Sequence, residues 1–498
     1  MFSPILLLAF VLHARAAATP AQTAASTAVS VSLAGVTYVN QGLVGFGRIP
    51  SNQTESTGDT IGGIGSAIAI KPETWQELSN GSYTGILVVQ PDRGYNVISP
   101  IDYQARRHEL SFVLTPYTDV QPLSFDDAQK TFALTYVNTT LLFERNNTKT
   151  SGLDPANIRA AQPGFPTNPL ADPQMPIAST AEPHLTLDSE GIIINADGTY
   201  WLSDEYGPYI YLFTADGHII QTIQPPAAIL PMDSKGNLNF TANVDPATGR
   251  AANQVNQPTP LQDSKVLPLT PLTSTLYAIL QSGTIQDGAA QYTRLLAYNV
   301  SQPSLIVPLI GEWVVPLPVV NSKIEATSEI HFVSPGVFLC LSRDGNGHGG
   351  SGTTIKYKQA DLFSIANATD IHGTAFDSPS TPVSPNGELV SSVTPATYVG
   401  FVNYANATQL GRFGLHVGDP DDNTLIDAKW ESLALAPVGS SAPDDFFLFT
   451  ASDNDFLSTQ GISLGVPYDA GEDVDNQFLV FRVTLPGAAP GVAAALDL

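Results

Sequence analysis

Apolar residues in this chain come in short runs broken by Gly, Pro, Asn and Asp, and no long stretch repeats every three or four residues. The clearest unit begins at Gly191. Gly191-Ile192-Ile193-Ile194 reads as a strand, Asn195-Ala196-Asp197-Gly198 as a turn, and Thr199-Tyr200-Trp201-Leu202-Ser203 as a second strand. Tyr209-Ile210-Tyr211-Leu212-Phe213, the turn Ala215-Asp216-Gly217 and His218-Ile219-Ile220-Gln221-Thr222-Ile223 add two more. Asp-Gly between apolar runs is a strong hairpin signal. Four antiparallel strands in succession make one propeller blade. Similar pieces recur at 273–300, 324–366 and 428–485. The predicted fold is therefore all-β, a β-propeller-like single domain of about six or seven blades with long loop insertions. Residues 151–183, rich in Pro, Ala and Asn, read as one such insertion, a lid or covering loop.

An acidic pattern rides on these strands. Asp188-Ser189-Glu190-Gly191 leads into the first strand of the unit above, and its second strand ends on Ser203-Asp204-Glu205. Ser328-Glu329-Ile330 and Ser342-Arg343-Asp344-Gly345 repeat the arrangement, as do Trp430-Glu431-Ser432 and Ser452-Asp453-Asn454-Asp455. The separations of 14, 15 and 22 residues are each about a strand, a turn and a strand. In a propeller, the loops entering and leaving the innermost strands crowd one mouth of the axial channel. Glu190, Asp204, Glu329, Asp344, Glu431 and Asp453 are accordingly expected to converge there as metal ligands. Hard oxygen donors without His or Cys pairs suit Ca²⁺ or another hard divalent cation rather than zinc. Taken singly, each acid reads better as a turn residue or strand-end cap, and it is the threefold coincidence that points to a shared site.

The glycines in Ile61-Gly62-Gly63-Ile64-Gly65-Ser66 precede no helical pattern. They suit close backbone approach better than a phosphate loop. No Gly-x-Ser-x-Gly elbow occurs, which argues against an α/β-hydrolase serine esterase.

The N-terminus and the composition indicate a compartment. Phe2–Leu12 is apolar, too short to span a bilayer, and followed by Ala16-Ala17-Ala18. Residues 1–18 read as a cleaved secretory signal, 19–40 as a flexible lead-in and 41–490 as the propeller domain. Eight Asn-x-Ser/Thr sequons, at Asn52, Asn80, Asn138, Asn146, Asn239, Asn299, Asn367 and Asn406, suit a secreted glycoprotein. Cys340, the single cysteine, lies in an apolar run and reads as an inert core residue. A net charge of −25 argues against nucleic acid and against an anionic membrane surface as partners. The expected partner is a small-molecule substrate, and the expected state is a monomer.

Ser203-Asp204-Glu205-Tyr206-Gly207-Pro208-Tyr209-Ile210-Tyr211, with Asp188-Ser189-Glu190-Gly191 before it, resembles the phytase-like family in its secreted, fungal-type form. That family is described as having an esterase-like activity of phytase. Gly42-Leu43-Val44-Gly45, Thr60–Ser66, Pro91-Asp92-Arg93-Gly94-Tyr95-Asn96, Glu329-Ile330-His331, Arg343–Gly349 and Ser452–Phe456 are also similar to it. The resemblance spans about 40–485 and implies an exported propeller-like hydrolase, with phosphoester (phytate-like) hydrolysis as the expected activity. One departure stands out. Where the family holds a Phe-Glu-Gly-Leu block, this chain has Asn253–Asp263, without the Glu.

At such a site, cations bound by the acids would neutralise phosphate oxygens and acidify a bound water. Arg93 and Arg343 are the candidates for bidentate phosphate contact and His348 for proton donation. Glu205, inside the Ser-Asp-Glu-Tyr-Gly-Pro block, completes the candidate catalytic set. Two other functions fit the same residues. One is a non-catalytic scaffold or binding protein with structural Ca²⁺, the other a divalent-metal lactonase or esterase.

Overall fold

The computed structural model describes residues 28–96, 99–164, 170–233, 236–242, 274–284, 286–288, 291–303 and 306–498, with short pieces at 244–245, 250–251 and 265–266. The expected signal segment 1–18 and the divergent Asn253–Asp263 stretch lie outside the described residues.

Among the described residues, five antiparallel sheets of four or five strands form the body of the molecule, with four two-stranded sheets beside them. The first blade runs outward through Ala67–Ile70, Tyr83–Gln90, Arg106–Leu114 and Phe132–Leu141. The second comprises Ser189–Ile194, Tyr200–Asp204, Ile210–Phe213 and Ile219–Ile223. The third comprises Lys265–Val266, Thr275–Ile279, Tyr292–Asn299 and Leu309–Pro316. Thr327–Ser334, Val337–Arg343, Lys358–Ser364 and Thr397–Asn403 form the fourth. The fifth begins with Lys429–Pro437, Asp445–Asp453 and Asn476–Thr484, and is completed by Val36–Ile49 and Val29–Leu33. Each innermost strand contacts the innermost strands of both neighbouring blades, so the five close into a ring.

The expectation of six or seven blades is thus corrected to five. The apolar run around Leu43–Gly47 belongs to Val36–Ile49, which pairs with Asn476–Thr484 from the other end of the chain. Two stretches far apart in sequence share one blade. Among its described residues, the insertion 151–183 supplies the small hairpin Asn157–Arg159 with Met175–Ile177, which lies beside the second blade. It accepts hydrogen bonds there, from Tyr206 Oη to the Gly152 carbonyl (2.8 Å) and from Tyr209 Oη to that of Gln174 (2.8 Å). The stretch expected as a flexible lead-in is strand from Val29 onward. At the other end, the helix Ala489–Leu496 follows the last strand.

The core lies between neighbouring sheets. Trp430 packs in a cluster shared by the first, fourth and fifth blades, and Trp201 in one shared by the second, third and fourth. Strands buried on both faces explain the continuous apolar runs such as Phe446–Phe449. Cys340 is buried in this core, and burial pushes its thiol up to about 12, as expected for an inert residue. Six of the sequon asparagines are exposed, and Asn239 and Asn299 are partly exposed. No helix among the described residues is long and apolar enough to cross a membrane.

The glycines at 62–65 serve close approach. A Cβ on Gly65 would stand 2.0 Å from the Ser452 carbonyl carbon and 2.3 Å from the Asp453 nitrogen. Gly63 has φ +62°, and its Cβ would come within 2.8 Å of the Asp92 carboxylate. The first blade therefore seats directly against the end of the strand that carries Asp453. Gly65→Ala is expected to destabilise the protein by about 2 kcal/mol or more, the scale of overpacking in a tight interior. Chemical unfolding measures it, and a loss below about 0.5 kcal/mol, the range of indifferent surface changes, would contradict the close seating.

Candidate functional site at the axial mouth

Every blade delivers its second strand to the same mouth. Asp92 and Arg93 follow Tyr83–Gln90, Asp204 ends its strand, Gln281 follows Thr275–Ile279, and Arg343 and Asp453 end theirs. The innermost strands of the second and fifth blades begin there too, bringing Asp188, Glu190, Lys429 and Glu431. A cavity of about 190 Å³ results, lined by Asp92, Arg93, Asn96, Asp188, Glu190, Glu205, Gln281, Arg343, Lys429, Glu431 and Asp455. Six carboxylates and three cationic side chains line it.

Strand register decides which acids arrive. In the second blade Ser189 pairs with Asp204 and Gly191 with Ser203, so Glu190 is an extra, bulged residue. In the fifth, Trp430 pairs with Ser452 and Ser432 with Ala451, and Glu431 is the bulge. In the fourth, Thr327 pairs with Ser342 and Glu329 with Leu341, so the bulge is Ser328. Glu329 sits one position further on, and one position turns a strand residue to the other side. It is buried and lines a different cavity, deeper along the axis. By the same register, Asp453 corresponds to Glu205 and Arg343, not to Asp204 and Asp344.

The six acids expected as ligands therefore divide. Glu190 and Glu431 line the cavity, and Asp453 stands against it beside Lys429 and Asp455. Asp204 is fully buried and organises the turn that follows it. Its carboxylate accepts from the backbone nitrogens of Asp188 (2.8 Å), Gly207 (3.1 Å) and Tyr206 (3.3 Å) and from Tyr211 Oη (3.3 Å). Asp344 accepts from the backbone nitrogens of Asn346 (3.2 Å) and Tyr357 (3.3 Å) and from Lys358 Nζ (3.3 Å). Burial works to raise Asp344, but Lys358 and the Lys356 and Asn346 amides hold it below the usual carboxylate range.

Of the candidate catalytic residues, Arg93, Arg343 and Glu205 line the cavity. Arg93 pairs with Asp188 at 2.8 Å and lies over the Tyr206 ring, and Arg343 pairs with Glu431. His348 is not among the lining residues. Its Nδ1 meets Asp421 at 2.8 Å and its Nε2 the Asp473 carbonyl oxygen at 3.1 Å, so both ring nitrogens face acceptors. Burial opposes protonation, but those acceptors hold the imidazole above its ordinary value.

Asp92, Asp188, Lys429, Asp455 and Gln281 were absent from the expected set. Asp188 and Asp455 stand within two residues of predicted ligands, and Asp92 lies in the Pro-Asp-Arg-Gly block. Lys429 stands two residues before the predicted ligand Glu431, but as a cation it did not fit the acidic pattern, and Gln281 carries no sequence signal.

The electrostatics are those of crowded, buried acid. Two trios bring ligand oxygens within 4.8 Å of one another, Asp92 with Asp453 and Asp455, and Asp188 with Glu190 and Glu205. Burial raises Asp92 well above its normal range, and the Asp453 and Asp188 charges add to it. Burial also raises Asp188, against the pull of Arg93 and Lys429. Asp453 is pushed up to about 7 by burial, with Lys429 opposing and Asp455 and Glu431 reinforcing. Lys429 Nζ binds Asp453 and lies 2.6 Å from Asp455. Burial alone would lower its ammonium, yet the surrounding acids hold it well above its ordinary value. Lys429 thus lies within the first trio, and Arg93 pairs with Asp188 of the second.

A five-bladed propeller with a carboxylate-rich axial mouth is the class these features define. The family model described as "Phytase-like: Esterase-like activity of phytase" matches residues 73–456, and the chain belongs to that family. An uncharacterised secreted protein of Arthroderma benhamiae is 35% identical, over 86% of this chain and 89% of that protein. Solved structures are more distant. An N-acetylgalactosamine deacetylase from F. plautii covers 92% of this chain and 98% of its own at 10% identity and TM-score 0.31. A luciferin-regenerating enzyme covers 86% and 96% at 10% identity and TM-score 0.27. Neither likeness is close enough to carry an argument.

Behind the cavity, Asp427 is fully buried beneath the start of the fifth blade's inner strand, and it accepts from Ser452 Oγ (2.5 Å) and the Gln477 amide (3.3 Å). Burial pushes its carboxyl up to about 8. The folded protein then keeps a proton that the unfolded chain has lost above pH ~4. Stability from this group is full at low pH and is lost as pH rises through 8. Wild type minus Asp427→Asn stability should therefore fall by on the order of 1 kcal/mol per pH unit between about pH 5 and 8 and level off above. Urea unfolding across pH tests it, and a pH-independent difference would refute it.

Proposed function

We propose that this protein is a secreted, glycosylated hydrolase that cleaves esters, phosphate esters first among them, at a hard divalent cation such as Ca²⁺ held in the axial mouth. The observation that supports this most is the Asp188–Glu190–Glu205 trio, three carboxylates drawn together in a cavity where acids outnumber cationic side chains. Carboxylates at this spacing and burial repel unless protonated or bridged by a cation. An all-oxygen donor set is the chemistry of Ca²⁺ or Mg²⁺.

Bound there, such an ion supplies a Lewis acid and an acidified water. The chain's own residues would do the rest. Arg343 and Gln281, from the fourth and third blades, line the same cavity and would orient the substrate's oxygen atoms. Arg93 is held by Asp188 and stacked on Tyr206, a fixed guanidinium suited to a phosphate oxygen. His348, turned to Asp421 and the Asp473 carbonyl, fits a role in holding the 346–350 loop better than proton donation. The family description and the secreted relative support the hydrolase and export readings.

The second reading is a scaffold or binding protein with a structural cation. It is favoured by one observation: each of the three cationic side chains at the mouth is already paired with a carboxylate of the site. A lactone or carboxylic ester, which needs less cationic charge than a phosphate, would be the substrate under the metal-esterase variant.

Phosphate release from p-nitrophenyl phosphate and phytate, and hydrolysis of p-nitrophenyl acetate and a γ-lactone, separate these readings when measured with Ca²⁺ and with chelator. Cleavage should require the cation, and Glu205→Gln should weaken cation affinity by at least about tenfold. Chelation that lowers the melting temperature while no ester is cleaved would favour the scaffold. An unchanged melting temperature and unchanged cation affinity in Glu190→Gln and Glu205→Gln would sink the cation site itself.

A further inference from the structure

Further along the inner strands, beyond the acidic mouth, lies a second hollow of about 250 Å³. Ile68 and Ile70, Ile192 and Ile194, and Leu433 and Leu435 supply its walls, and the last turn of the helix Ala489–Leu496 borders it. That helix is fastened by the buried Val492 and Leu496, and by the Glu73 amide donating to the Leu496 carbonyl at 2.8 Å. The residues it offers the hollow are Ala494, Ala495 and Leu496. Two alanines stand where larger apolar side chains would fill the space. Interiors carry few voids larger than one water, and an apolar hollow of ~150 Å³ already takes up benzene.

Four polar side chains line the hollow as well, Asn195, Ser274, Glu329 and His331. The His331 Nδ1 lies 2.9 Å from the carbonyl oxygen of Phe332. A carbonyl only accepts, so Nδ1 carries the proton and Nε2 keeps its lone pair. Burial pushes this imidazole down to about 4, which leaves it neutral at ordinary pH. Glu329 Oε1 accepts from the Ile330 amide at 2.9 Å. The hollow therefore has isoleucine and leucine walls, the acceptors Glu329 and His331 together on one strand, and Asn195 and Ser274 at the ends of two others.

We infer that this hollow is a binding site for a small neutral amphiphile, an apolar chain or ring of about ten non-hydrogen atoms, by proportion with benzene, ending in a hydroxyl that donates to the acceptors on the fourth blade. The site is independent of the cation at the mouth and stands or falls separately from it. A fatty acid of equal length is disfavoured, because its carboxylate would lie near Glu329 and has no proton to donate.

Isothermal titration of the full secreted protein with 1-octanol and with octanoate tests the site. One octanol per chain is expected, with octanoate weaker by at least about tenfold, as for a lost buried hydrogen bond plus like-charge repulsion. Ala495→Phe and Ala494→Leu should fill the space and abolish binding while the melting temperature stays near wild type. Should neither variant fold, Leu435→Ala enlarges the hollow and should move the preferred alcohol from octanol toward decanol. Absence of saturable octanol binding to the wild type overturns the inference. So does octanoate binding as tightly as octanol, undiminished binding in a folded filled variant, or an unmoved chain-length preference in Leu435→Ala.

Discussion

The antiparallel pairing of Val36–Ile49 with Asn476–Thr484 is the constraint on which the rest depends. A propeller is a row of sheets bent into a ring, and an unclosed ring leaves two apolar blade faces exposed to water. Here the closing strand comes from the start of the chain and is laid onto the last strand of its end. Once that strand is seated, the fifth blade is pressed against the first, and the glycines at 62–65 let the two backbones meet beside Asp453. The axial mouth exists because the ring is shut.

Closure also sets the electrostatics. Carboxylates that would be solvated turn residues in an open sheet are forced into one cavity, where burial and mutual repulsion raise Asp92, Asp188 and Asp453. Part of that cost is offset from within, by Lys429 among Asp453 and Asp455 and by Arg93 on Asp188. The mouth is consequently asymmetric. The first, second and fifth blades bring the acids that form the two trios, while the third and fourth bring Gln281 and Arg343. Such polarity suits a site in which a cation lies to one side and the oxygen atoms of a substrate to the other.

The repeated acid–strand–turn–strand–acid pattern anticipated that acids converge at the axial mouth, which holds for Glu190, Glu431 and Asp453 and not for the other three. Strand ends were legible because turn residues and apolar alternation are local. The bulges were not. A bulge at Glu190 and Glu431 turns each of these glutamates to the mouth, while in the fourth blade the bulge falls on Ser328 and sends Glu329 elsewhere. Asp204 resembled a ligand because it ends a strand, yet the three backbone amides around it make it an architectural residue. Blade number was overcounted for a related reason, since no local signal says that residues 36–49 and 476–484 belong to one sheet.

By itself the sequence determined the all-β class, the strands and most turns, the family, the inert buried cysteine and the general location of the acids. These follow from side-chain periodicity and turn chemistry, which act over a few residues. Only the tertiary structure decided that there are five blades, that Lys429 enters the acidic cluster, that His348 turns to Asp421, and that two alanines near the C-terminus leave a hollow on the axis. Each of these depends on contacts between residues far apart in the chain. Register and closure govern those contacts, and neither is encoded in any single segment.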